Sequence, residues 1–153
     1  MVVHSVRSPE ERAAALALRR KVFVWEQGIF EGTDLDEHDQ DAVHLAARAR
    51  GRVVGTVRVY REPGFEDRYF GGRLAVEKES RRSKAGRFLV MEAMKRVKKM
   101  GCREFFARIQ EENVPFFRKL GWTPLGGPEA CHGRPHRLMR ADLGLVPDDL
   151  LPE

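Results

Sequence analysis

The chain has 153 residues, of which 42% are hydrophobic and 33% charged, with a net charge of +5 and a pI of about 9.6. That composition fits one soluble domain with a sizeable core, without repeats or low-complexity tracts. No apolar run nears membrane-spanning length, the start MVVHSVRSPEER lacks a secretion-signal core, and Cys102 and Cys131 show no disulfide-framework spacing, so a reducing cytoplasm is the expected compartment.

Val2, Val3 and Val6 suggest a short first strand. Ser8-Pro9-Glu10-Glu11 opens a helix, with Ser8 as N-cap, Pro9 at its first position and Glu11 closing a capping box. That helix should reach about Lys21 and can continue through Val22–Gln27, with Gly28 as its stop. Six acids follow: Glu31, Asp34, Asp36, Glu37, Asp39 and Asp41. Their spacing is not that of a calcium-binding EF-hand loop, and a solvated acidic loop is their plainest reading. His44–Ala49 and Val53–Tyr60 read as strands joined at Gly51, and Tyr69–Val76 reads as a third beyond the Glu62-Pro63-Gly64 loop.

The stretch Arg73–Gly101 reads as strand, basic loop and helix. Leu89, Ala93, Val97 and Met100 form a helical face, and Gly101 stands where a left-handed cap is expected. The loop before it carries Arg81, Arg82, Lys84 and Arg87. A helix N-terminus presents unpaired N–H groups and a positive dipole end, and four cations around it point to a polyphosphate. The alternative is a solvated basic helix start without a ligand. Glu104–Gln110 is a further strand, Asn113–Trp122 holds a short helix with Pro115 in its first turn, and His136–Leu143 is the last strand. Cys131, His132 and His136 look like metal ligands, but one loop supplies at most three, and no metal is expected.

LAVEKESRRSKAGRFLV resembles motif A of the GCN5-related N-acetyltransferases, whose loop holds the pyrophosphate of acetyl-CoA. Arg81 takes the motif's first position and Gly86 its last; Lys84 and Arg82 stand where glycines are common. A lysine forced to positive φ would be strained, so either the loop is reshaped or Lys84 lends its charge to the phosphates. NVPFFRKLGW resembles motif B, with Asn113 opening it and Phe116-Phe117 as its aromatic pair. Phe117 replaces the tyrosine that often protonates the departing thiolate. Core packing alone accounts for Phe116 and Phe117, for Phe116 more readily. VFVWEQ, the acidic stretch and the strand starting at His44-Leu45 resemble the ElaA-like branch. GRPH with NVPFFRKLGW is similar to uncharacterised bacterial acetyltransferases encoded beside nitrilases.

The resemblance implies an α/β (α+β) fold with a mixed, mostly antiparallel sheet of six to seven strands flanked by about four helices. It implies an enzyme moving an acetyl or short acyl group from acetyl-CoA to a primary amine of a small molecule or peptide, without nucleic-acid or membrane partners and with a homodimer open. The implied donor site is Leu74, Ala75 and Val76 of the strand, Arg81, Arg82, Ser83, Lys84, Ala85, Gly86 and Arg87 of the loop and helix start, and Asn113, Phe116 and Phe117. A backbone N–H near Val76 would polarise the thioester carbonyl. The acidic stretch would wall the acceptor site and favour a cationic acceptor. An amine nucleophile needs a base, for which Glu26 and His136 are the candidates, with His132 behind them. Taken singly, each has a structural explanation: Glu26 paired with an arginine, His136 bonded to a backbone carbonyl. Two other readings stand beside this one: an enzyme like the acyl-homoserine-lactone synthases, and a CoA-binding regulatory module without turnover.

Overall fold

The computed structural model describes residues 1–148. Its strands are β1 (Val2–Ser5), β2 (Val43–Ala49), β3 (Arg52–Arg61), β4 (Arg68–Val76), β5 (Glu104–Gln110), β6 (Trp122–Pro124), β7 (Glu129–Cys131) and β8 (Arg134–Ala141). The α-helices are α1 (Pro9–Arg20), α2 (Ala85–Lys99) and α3 (Val114–Lys119). All eight strands share one sheet in the order β1-β2-β3-β4-β5-β8-β6, with β7 also paired to β8. Among these pairs only β4·β5 is parallel, and α2 supplies the crossover that a parallel pair requires. The sheet thus has one or two more strands than expected and the fold one α-helix fewer.

α1 begins as its sequence dictates. Ser8 Oγ accepts from the Glu11 N–H at 3.1 Å. The Glu11 carboxylate reaches one residue further back than a capping box requires, accepting from the Arg7 N–H at 2.9 Å. Lys21–Glu26 continues the helix as a wider π-turn that ends where Gly28 takes φ +64°. Val22 and Phe23 from this turn join Leu18 and Ala75 in a small cluster on one sheet face.

The main core lies on the other face. There Leu89, Val90, Ala93, Met94 and Val97 of α2 pack with Val57, Val59, Phe105 and Ala107. Gly55 sets the approach: a Cβ there would stand 2.8 Å from Leu89 Cδ1. Met100 leaves the stripe; it caps α2 and its side chain is exposed, because Gly101 at φ +91° turns the chain away. β6 and β7 pair with opposite ends of the same β8 edge, Trp122 facing Ala141 and Glu129 facing His136.

Candidate active site

The parallel pairing of β4 with β5 stops at Gly71↔Ala107, yet β4 runs on to Val76 and β5 to Gln110. The cause is a bulge in β4. Thr56 faces Ala75 while Arg58 faces Gly72, so β4 carries one extra residue against β3. Arg73 sits within it at φ +54°, a conformation rarely taken by residues other than glycine. Its guanidinium compensates: Nε and Nη2 donate to the Asp34 carbonyl at 3.2 and 2.9 Å, and the group lies 4.4 Å from the Phe30 ring. Beyond the bulge the strands diverge and leave a notch in the middle of the sheet. A cavity of about 290 Å³ fills it, lined by Phe23 and Phe30 from one face and by Val90 and Ala93 of α2 from the other.

The basic loop borders the notch. Leu74 and Asn113 line the cavity, Ala75 is buried against the π-turn, and Val76 packs beneath Gly86. Lys84 caps α2 at φ −86°, ψ 11°, so the loop is reshaped and no strained lysine is needed. Ser83 Oγ donates to the Ser80 carbonyl at 2.5 Å and accepts from the Ala85 N–H at 3.2 Å. The following N–H groups, of Gly86 and Arg87, belong to the first turn and have no partner within the helix. A Cβ at Gly86 would touch only Phe116 at 3.7 Å and Val76 at 3.9 Å, so packing does not require glycine there. Arg82, Lys84 and Arg87 are exposed and form no ion pair among the described residues. Arg81 differs from them: its Nε donates to the Val76 carbonyl at 3.1 Å and its Nη2 to Glu26 Oε1 at 2.6 Å.

That pairing changes the reading of both partners. Arg81 is a brace between the π-turn and the end of β4, with its charge already matched. Glu26 lies outside the cavity walls, and the hydrogen bond from Arg81 pulls its carboxyl below the usual carboxylate value. A base working near neutral pH needs the opposite shift. The neighbouring Trp25 is 68% exposed beneath Arg20 and does not bury the carboxyl. The aromatic pair is reversed as well: Phe117 is buried against Trp122 and lines the cavity, whereas Phe116 is exposed beside the start of α2.

Both histidines of the tail reach the cavity. His136 faces Gln110, the last residue of β5, which puts it level with the mouth of the notch. It is 8% exposed, and its Nδ1 lies 2.9 Å from the Arg134 carbonyl. That oxygen only accepts, so Nδ1 donates to it, and in the neutral ring Nε2 is the nitrogen that carries the lone pair. His132, exposed on one side, packs at 4.4 Å against Phe30; partial burial there, then the charge of Arg73, lowers its pKa. Gln27 clamps the site, accepting from Gln110 Nε2 at 3.0 Å through its side chain and from Arg134 Nη2 through its carbonyl. Among the described residues no group of three or more His, Cys, Asp and Glu side chains is placed to hold a metal.

A family model for the acetyltransferase (GNAT) family matches residues 9–122. The chain belongs to that family. A Bacillus subtilis (strain 168) protein with an acetyltransferase designation is 30% identical over 142 residues, covering 91% of this chain and 95% of its own. Escherichia coli ElaA superposes with a TM-score of 0.82 at 22% identity, over 92% of this chain and 99% of its own. BjaI, a CoA-dependent acyl-homoserine lactone synthase whose structure holds SAM and isopentyl-CoA, reaches 0.77 at 20% identity, over 92% of this chain and 82% of its own.

In this member of the family three of the six acids in the acidic stretch are matched from inside the fold. Asp34 accepts from Arg19 Nε at 2.8 Å, Asp39 accepts from both Arg19 Nη groups at 2.7 and 3.0 Å, and Asp36 accepts from both Arg58 Nη groups at 2.5 and 2.7 Å. Arg73 closes the network at 3.4 Å from both Asp34 and Asp36. Burial disfavours the Asp39 carboxylate, but the bonds from Arg19 and from the Asp36 N–H outweigh it and hold its pKa well down. Three cations thus neutralise three acids, and the segment becomes a wall held from inside the fold. Sequence reading missed Arg58, Arg73, Arg108 and Tyr60, all on the cavity. Arg58, Tyr60 and Arg108 carried a signal, as the outward phase of alternating strands, and Arg73 carried none.

Proposed function

We propose that the chain is an N-acyltransferase that moves an acetyl or short acyl group from acetyl-CoA to a primary amine. The observation that carries this reading is the notch itself: unpaired β4 backbone beside a cavity that reaches His136, with the three unmatched cations of the α2 start just beyond the end of β4. Arg82, Lys84 and Arg87 would hold the pyrophosphate with the first-turn N–H groups of α2. An N–H on the open edge of Gly72–Val76 would polarise the thioester carbonyl. His136 Nε2 accepts the proton as the amine nitrogen bonds to that carbon. The carbon–sulfur bond then breaks, and the sulfur leaves as thiolate. Buried Phe117 offers it no proton, so protonation falls to solvent.

A panel of primary amines with acetyl-CoA, followed by free-thiol release and by mass of the acylated product, tests the reading. Thiol release that depends on the amine, with a mass gain of one acetyl group, supports it. Release confined to S-adenosylmethionine would favour the lactone-synthase alternative, and CoA binding without turnover the regulatory one.

A further inference from the structure

The acid–arginine network balances Arg19, Arg58 and Arg73 against Asp34, Asp36 and Asp39, and Arg108 is left over. It stands on β5 at the cavity, its guanidinium 5.2 Å from the Phe70 ring, without an ion-pair partner among the described residues. The nearby wall holds a second unmet donor. Arg58 is 3% exposed, and its Nε is buried with no acceptor although both Nη groups are engaged. The surroundings are also crowded with positive charge: burial and then the neighbouring Arg58 lower the pKa of Arg73 despite Asp36 and Asp34 beside it. Among the cavity acids, Asp36 is held by Arg58 and Glu37 is largely in solvent, 3.4 Å from His38. Tyr60, stacked between His38 at 4.0 Å and Phe70 at 6.1 Å, adds a phenol that burial keeps neutral and able to donate.

We propose that the acceptor amine also carries a carboxylate, as an amino acid does, and that Arg108 with the buried Nε of Arg58 receives it. Arg108 and His136 project from one face, since Arg108 faces Leu138 and Gln110 faces His136 in the same antiparallel register. Strand spacings put their Cα atoms about 8 Å apart. An amine nitrogen at His136 and a carboxylate a few bonds away at Arg108 span that distance. The flat Tyr60–Phe70 surface lies beside the Arg108 end, where a planar or apolar side chain would rest. This assignment rests on the acyltransfer reading for the role of the amine, and on unmatched cations alone for the carboxylate.

The two can be tested apart. Equilibrium binding in the presence of CoA is measured by calorimetry for N-acetyl amino acids, each paired with the N-acetyl amine that lacks its carboxylate. At least one carboxylate-bearing member should bind tighter than its pair by about tenfold or more, the span of a charge-assisted hydrogen bond. Arg108→Gln should bring that ratio to within about twofold of unity, and Arg108→Lys, which keeps the charge but loses the fork, should retain part of it. Equal affinities across every pair, or a preference that survives Arg108→Gln, overturns the assignment. Because binding needs no turnover, carboxylate preference without thiol release would leave the assignment standing and sink the acyltransfer reading instead.

Discussion

His136 combines three properties of a proton acceptor: burial, a ring proton fixed on Nδ1, and a place at the open end of β5. His136→Gln should lower kcat/KM by about 10²-fold or more and flatten the rise with pH. The sign follows from the role, since a base is competent only when unprotonated and kcat/KM therefore climbs with pH. The amine's own ionisation gives a similar limb, so the wild-type and variant profiles must be compared with one acceptor. Glu26→Gln should behave differently. It releases Arg81 from a half-exposed ion pair, so the pH profile should keep its shape while stability moves by no more than about 0.5 kcal/mol. A flattened pH limb in that variant would restore Glu26 as the base.

At the scale of elements, the start of α2 and the acidic stretch make opposite demands on charge. Around α2 the cations are unmatched; replacing Arg82 and Arg87 together by Glu should weaken CoA binding by about tenfold or more, with less salt dependence than the wild type, by calorimetry at two ionic strengths. In the acidic stretch Asp34, Asp36 and Asp39 are matched by arginines, and Asp34 and Asp39 are buried. Asp39→Asn leaves Arg19 and Arg58 short of a counter-charge and should cost about 3–5 kcal/mol in denaturant unfolding. For Asp39 and Asp36, hydrogen bonds from arginine outweigh burial, and the folded pKa lies below the unfolded value. Their stabilisation is therefore full above the unfolded carboxylate pKa of about 3.9, and it is lost as pH falls through the folded values. Acid unfolding followed by circular dichroism should begin below about pH 4 and begin at higher pH in Arg19→Met.

What the chain showed before its structure was known divides along the same line. Local chemistry was legible: the Ser8 cap, the alternation of β3, the buried Leu89, Ala93 and Val97 of α2, and the two resemblances that bracket β5. Long-range pairing was not. Arg19 meets Asp34 and Asp39 across 15 and 20 positions, and Arg81 meets Glu26 across 55. No periodicity marks such partners, so the acids passed for solvent-facing ones and Glu26 for a free base. The bulge at Arg73 was hidden because a non-glycine residue holds positive φ only through contacts made elsewhere. The three-residue strands β6 and β7 are too short for alternation to show.

On the scale of the whole molecule, the divergence of β4 from β5 gives the sheet an interior edge, and deuterium uptake should see it. Main-chain amides in central strands normally exchange only when the fold opens globally, because each is locked to a neighbour. Those of Gly72–Val76 that point away from β3 have no such lock, and they should take up deuterium orders of magnitude faster than Val57 or Val59 on the adjoining strand. A thioester carbonyl seated there would accept from one of them, and slowed uptake in this short segment on adding acetyl-CoA would report occupancy without any acceptor. The amides of Phe106–Gln110 that point toward β8 stay paired and serve as the internal standard. Slow exchange across Gly72–Val76 in the free protein would mean that the edge is closed in solution.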